Sequence, residues 1–149
     1  MTVEVALALL EREGAWLVQL RDDIDGIVAP GCWGLFGGHL DPGEQAAEAL
    51  CRELQEEIGW AAPPLPFWFS HSNRQRIAHF FRAPLPVPLS ALQLLEGQDM
   101  ALASLEAMAS GHLWSERLQQ FRPLAPSLQQ AVAVLQRSAR PPLSPSVRV

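Results

Sequence analysis

Residues 37–60, GGHLDPGEQAAEALCRELQEEIGW, carry five glutamates and one arginine next to a glycine pair. Nothing between Glu44 and Ile58 breaks a helix, and Ala47, Leu50, Leu54 and Ile58 recur at helical spacing. The segment therefore predicts an amphipathic helix over 44–58 with that stripe toward the core. At about 100° per residue, Glu53, Glu56 and Glu57 project within roughly a quarter turn of one another, on the polar edge beside the stripe. Carboxylates at these spacings repel. Arg52 balances one charge, and a hard divalent cation removes the rest, since Mg²⁺ is held by a few carboxylates, water and substrate phosphate. The three glutamates read as a metal platform. Gly37 and Gly38 with Asp41-Pro42-Gly43 predict a loop entering the helix, whose backbone can come close to the same ligand. The competing reading, a merely solvated acidic face, does not account for the glycine pair or for Arg52.

The elements that must position this segment follow from patterning. Residues 3–11 and 15–21 are apolar, β-compatible runs around the turn Arg12-Glu13-Gly14 and predict strands. Residues 22–34 read as loop. Residues 67–72 and 76–85 predict strands around a turn at Asn73, and the prolines of APLPVP prevent regular pairing after them. Residues 89–108 predict a strand, a loop, a second strand and a short helix beginning near Ser104. Leu128, Ala131, Val132 and Leu135 at i, i+3, i+4 and i+7, with Pro126 in the first turn, predict a packing helix. One domain over 1–138 and an unstructured tail over 139–149 are expected. Trp16, Trp33, Trp68, Phe80 and Phe81 are expected in the core, and the four histidines at the surface or in packing.

Composition removes several functions. The 149 residues are 48% hydrophobic and 18% charged, with a net charge of −5. That gives room for one compact core and no basic footprint for nucleic acid. The N-terminal apolar run ends at Glu11 without a basic leader, so a soluble cytoplasmic protein that neither crosses nor binds a membrane is expected. Cys32 and Cys51 lack CxxC spacing and read as packing residues in a reducing compartment.

Gly38, Glu44, and then Arg52-Glu53-Leu54-x-Glu56-Glu57-x-Gly59-Trp60 resemble the Nudix box, GX5EX7REUXEEXGU, at every fixed position, with Trp60 in place of the final aliphatic residue. The resemblance implies an α/β fold, an α/β/α sandwich around a mixed β-sheet, and a hydrolase that cleaves a nucleoside diphosphate linked to another group by attack of water on phosphorus. It implies Mg²⁺, with Mn²⁺ as a substitute, held by Glu53, Glu56 and Glu57. Arg52 would orient a glutamate, Glu44 would support the loop or the metal-bound waters, and Gly37 and Gly38 would shape the substrate side. Glu96, in LLEGQD, resembles the later glutamate of MutT-type members and is the candidate general base. Arg21, at the end of the second expected strand, is placed to meet a substrate phosphate.

Subfamily markers narrow the substrate. The chain has no tyrosine, which diadenosine polyphosphate enzymes place after the box, and Arg76 stands where ADP-ribose enzymes carry proline. The NADH and coenzyme A signatures are not met. The remaining resemblance is to the compact MutT-like group, which converts nucleoside triphosphates to monophosphate and pyrophosphate. Phe36 stands at a frequent proline position of that group. Ala125, in FRPLA, replaces the asparagine that reads oxidised guanine. A nucleotide-sugar hydrolase and a catalytically weak nucleotide sensor are the alternatives, and the protein is expected to be a monomer or homodimer.

Overall fold

In the computed structural model, residues 2–139 are described, so the expected tail lies outside the described residues except for Ala139. Strands β1 (Val3–Arg12) and β2 (Ala15–Leu20) join through Glu13 and Gly14, both at positive φ. β3 (Trp33–Gly34) and β4 (Phe36–His39) follow, then helix α1 (Ala46–Ile58). The chain continues through β5 (Phe67–Ser72), β6 (Arg76–Pro84), β7 (Asp99–Ala103), α2 (Leu105–Ala109), β8 (His112–Ser115), β9 (Gln120–Pro123) and α3 (Pro126–Ala139).

The main sheet runs β3-β2-β1-β6-β5, with β4 also paired to β1 and β7 to β2. It is mixed: β1 and β6 are parallel, from Val3 beside Arg76 to Glu11 beside Pro84, and the other pairings are antiparallel. Parallel neighbours need a crossover, and the crossover from β1 to β6 includes α1. Alternation along the buried strands then separates two cores. Val5, Leu7 and Leu9 of β1, Val18 and Leu20 of β2 and Phe80 of β6 pack with Leu128, Ala131, Val132 and Leu135 of α3. Ala6, Ala8, Leu10, Leu17 and Phe81 face the other way, onto Leu50, Leu54 and Ile58 of α1. The result is the expected α/β sandwich. Trp33 is fully buried, with its indole N–H donating to the Leu113 carbonyl at 3.0 Å. The Arg82 guanidinium lies between the Trp16 and Trp68 rings, 5.0 and 5.3 Å from their centroids.

Three expectations are corrected. Gly37 and Gly38 belong to β4 and not to a loop: the space left by the missing Cβ of Gly37 lets β4 lie against Ala6 and Leu7 of β1. The helix begins at Ala46, with Glu44 before it in the turn, where its amide donates to the Asp41 carbonyl at 2.9 Å. The first strand expected within 89–108 is instead a 3-10 helix, Leu89–Ala91, followed by loop, whose amides at Gln93 and Leu95 bond to the Ile58 and Glu57 carbonyls at the end of α1 instead of to a neighbouring strand. The short helix does start where expected, with the Ser104 hydroxyl accepting from the Ala107 amide.

The β8–β9 hairpin gives no such sequence signal, since its connection, Glu116-Arg117-Leu118-Gln119, lacks glycine and asparagine. It is held through a buried carboxylate. Asp99 accepts from the Ser115 hydroxyl at 2.8 Å and from the amides of Met100 and Arg117 at 2.8 and 3.3 Å. Removing it leaves those donors without partners. Asp99→Ala is expected to lower stability by about 1–3 kcal/mol in urea denaturation.

Candidate functional site

Helix α1 is closed at its N-terminus by the Glu48 carboxylate, which accepts from the Gln45 amide at 2.9 Å, and at its C-terminus by Gly59 at φ 65. Those ends set which residues face the sheet. Arg52 then organises the outer side. Its Nε and Nη2 donate to the two oxygens of Glu44, each at 2.9 Å, and Nη2 also donates to the His39 carbonyl at 3.0 Å. Nη1 reaches Glu53 at 3.1 Å and Glu56 at 3.4 Å. This fork, with the Asp41 amide donating to the same carboxylate, holds Glu44 down to a pKa of about 2. Hydrogen bonding to Glu44 likewise binds the Arg52 proton more firmly.

On the inner side lies Glu57. The sequence places it on the polar edge, yet it is only 4% exposed, and its Oε1 accepts from the Gly37 amide at 2.8 Å. Burial is the main force raising its pKa, followed by a hydrogen bond with the Glu96 carboxyl; together they push it to about 10. Glu53 is also raised, first by burial and then by the charges of Glu56 and Glu96, with Arg52 opposing. Glu96 arrives from the loop between the 3-10 helix and β7, which is tied to the end of α1 by Gln93 N–H to the Ile58 carbonyl (3.1 Å) and Leu95 N–H to the Glu57 carbonyl (2.8 Å). The structure thus brings Glu53, Glu57 and Glu96 together, while Glu56 stands at the exposed rim.

Among the described residues, no three such side chains are gathered as a ready-made metal site. Arg52 draws Glu53 and Glu56 outward while Glu57 turns in to Gly37. The donor set still fits a hard divalent cation: every candidate ligand is a carboxylate oxygen, and two of the acids, Glu53 and Glu57, are driven toward protonation by burial and then by neighbouring carboxylates. A divalent cation relieves both effects.

The two glycines differ in what they accommodate. A Cβ on Gly37 would lie 2.0 Å from the Ala6 carbonyl oxygen, and the residue has φ 138. One on Gly38 would meet the Glu53 carboxylate first, at 2.6 Å. Arg21 follows β2, lies along Gly34 and donates from Nε to the Val28 carbonyl at 2.7 Å. Arg76, which sequence reasoning did not select, is its cationic neighbour: burial, and then the charge of Arg21, loosen its proton. Its position at the start of β6, paired with Val3, carried no local signal.

Comparison with known proteins gives the family. Residues 1–119 match the family model for the NUDIX domain. The chain belongs to the Nudix family, the hydrolase class that the box implied. The E. coli ORF135 protein is 32% identical across 95% of this chain and 94% of its own, with a TM-score of 0.64. A MutT protein from Methanosarcina mazei shares the fold at a TM-score of 0.71 and 21% identity, covering 94% of this chain and 96% of that one. The nucleoside triphosphatase NudI of E. coli is 42% identical over 55 residues, and that match spans 37% of this chain and only 38% of NudI. No helix among the described residues is long and apolar enough to cross a membrane.

Two predictions follow from the electrostatics and the packing. Glu57 has a folded pKa above its ordinary 4.5, so without metal its contribution makes stability fall as pH rises from about 4.5 through about 10. Glu44 acts in a separate window, its stabilisation being lost as pH falls from 4.5 toward about 2. Metal-free Glu57→Gln should therefore show a flatter stability profile between pH 5 and 9, read by urea denaturation, and an unchanged slope would refute the assignment. Gly37→Ala is expected to destabilise the fold by about 1–3 kcal/mol, whereas Gly38→Ala should leave melting nearly unchanged and displace only Glu53, which Mn²⁺ titration would detect as weaker binding.

Proposed function

We propose that this chain is a divalent-cation-dependent pyrophosphohydrolase that cleaves a nucleoside triphosphate to a nucleoside monophosphate and pyrophosphate. The observation that carries the reading is the buried Glu57 carboxylate in contact with Glu96 and beside Glu53, at the edge where Gly37 and Gly38 bring the backbone close. Glu53, Glu56 and Glu57 would hold Mg²⁺ or Mn²⁺. When bound, the cation supplies neutralisation of the pyrophosphate charge and a more acidic water.

The chain's own groups account for the rest. Arg52, anchored on Glu44 and the His39 carbonyl, holds Glu53 and Glu56 on the outer side of the cluster, from which they would turn in to a cation. Glu96 accepts the proton of the attacking water as its oxygen bonds to phosphorus and the α–β bridging oxygen departs with pyrophosphate. Arg21 and Arg76 present two guanidinium groups to a polyanion that the glutamates alone would repel. The activity in the name of the partial relative, a nucleoside triphosphatase, agrees with the choice of substrate.

A turnover screen over nucleoside triphosphates, diphosphates and nucleotide sugars with Mg²⁺, identifying products, tests the proposal. Monophosphate plus pyrophosphate is expected. Sugar phosphate from nucleotide sugars with inert triphosphates would replace it with the nucleotide-sugar reading, and binding without turnover would leave a sensor. Glu96→Gln should lower kcat by about 10²–10⁴-fold without loss of stability. Arg21→Ala should raise KM for a triphosphate more than for a diphosphate substrate, since it removes a charge-assisted contact worth about 1.5–3 kcal/mol.

A further inference from the structure

Strand β2 carries one polar side chain within its apolar run. Gln19 is 3% exposed, between Val18 and Leu20, and alternation places it on the α1 side of the sheet with Leu17. A buried primary amide is costly where leucine or valine would pack, unless its polar atoms are used. Its Nε2 donates to the backbone carbonyl of Glu96 at 3.0 Å.

The surrounding loop shows why that contact matters. On one side of Glu96, the Leu95 amide is tied to the Glu57 carbonyl; on the other, the Gln98 amide is tied to the Leu20 carbonyl, both at 2.8 Å. These backbone bonds fix the flanking residues, with the Gln98 side-chain amide also donating to the Arg21 carbonyl at 2.9 Å. The carbonyl of Glu96 itself is held by the Gln19 side chain. Gly97 makes the approach possible: at φ +102 it brings the chain so near that a Cβ would sit 2.9 Å from the Leu20 carbonyl oxygen and 3.0 Å from Gln19 Cγ. The peptide after Glu96 is therefore clamped onto β2, and the Glu96 carboxyl is left aimed at Glu57.

We propose that Gln19 is a positioning residue for the reaction: by gripping the Glu96 carbonyl from the sheet it holds the Glu96 carboxylate against Glu57, and so sets the rate of the step that Glu96 serves. This rests on the role given to Glu96 above. Gln19 itself touches no reacting atom.

The test is Gln19→Met, which keeps the length and fills the same apolar site without a donor, studied alone and with Glu96→Gln. The expected result is a fall in kcat of about ten- to hundredfold with KM within about twofold, unchanged or higher thermal stability, and faster hydrogen exchange at the Leu95 and Gln98 amides in metal-free protein. In the Glu96→Gln background, Gln19→Met should lower kcat no further. An equal further fall there, or unaltered exchange at those amides, overturns the proposal in favour of plain packing. If Glu96→Gln leaves kcat unchanged, the role of Glu96 is lost, and the exchange measurement still decides whether Gln19 positions the loop.

Discussion

The site depends on one contact, the Gly37 amide donating to a Glu57 carboxylate that has been taken almost out of water. Around it, each neighbouring element is placed for a stated reason. Helix α1 must present Glu57 inward and so packs Leu50, Leu54 and Ile58 on the sheet. β4 must bring a bare backbone to the carboxylate and so carries glycine where any Cβ would strike β1. The loop after the 3-10 helix must bring Glu96 to the same point and is tied to the final turn of α1 by two backbone bonds. A buried acid beside a second acid destabilises a fold on its own.

Arg52 solves the complementary problem at the surface. Four carboxylates, Asp41, Glu44, Glu53 and Glu56, surround one guanidinium, and its planar fork meets Glu44 with two bonds. A lysine could match the charge but not the double contact. Glu44 needs no place in the helix for this: its position in the turn before α1 lets it face Arg52 across the first turns while its other contact closes the turn at Asp41.

Much of the site was legible because it is local. Spacing alone put Arg52, Glu53, Glu56 and Glu57 on one helix, and turn residues put the glycine pair before it. What could not be read was depth: Glu57 looks like an edge residue until the sheet and the Glu96 loop close over it. β4 was missed because two glycines in sequence signal a loop, and only the close approach of Leu7 shows that they serve a strand. The β8–β9 hairpin escaped because its anchor, Asp99, is tertiary. Arg76 and Gln19 gained meaning only from partners far along the chain, Arg21 and Glu96.

The parallel pairing of β1 with β6 has a kinetic consequence. β1 is the central strand, yet its neighbours arrive at very different times in the chain: β2 at once, β4 next, and β6 only after the whole of α1 and β5 have been made. The early hairpin can form on its own, but the β1–β6 ladder must close a long loop before its contacts compensate for the lost chain entropy. The acidic helix is enclosed by that same crossover. During synthesis, helix and glycine strand can dock before β6 is available, whereas Glu96 and the grip of Gln19 come later still, so the carboxylates are brought against one another only once most of the sheet exists to hold them.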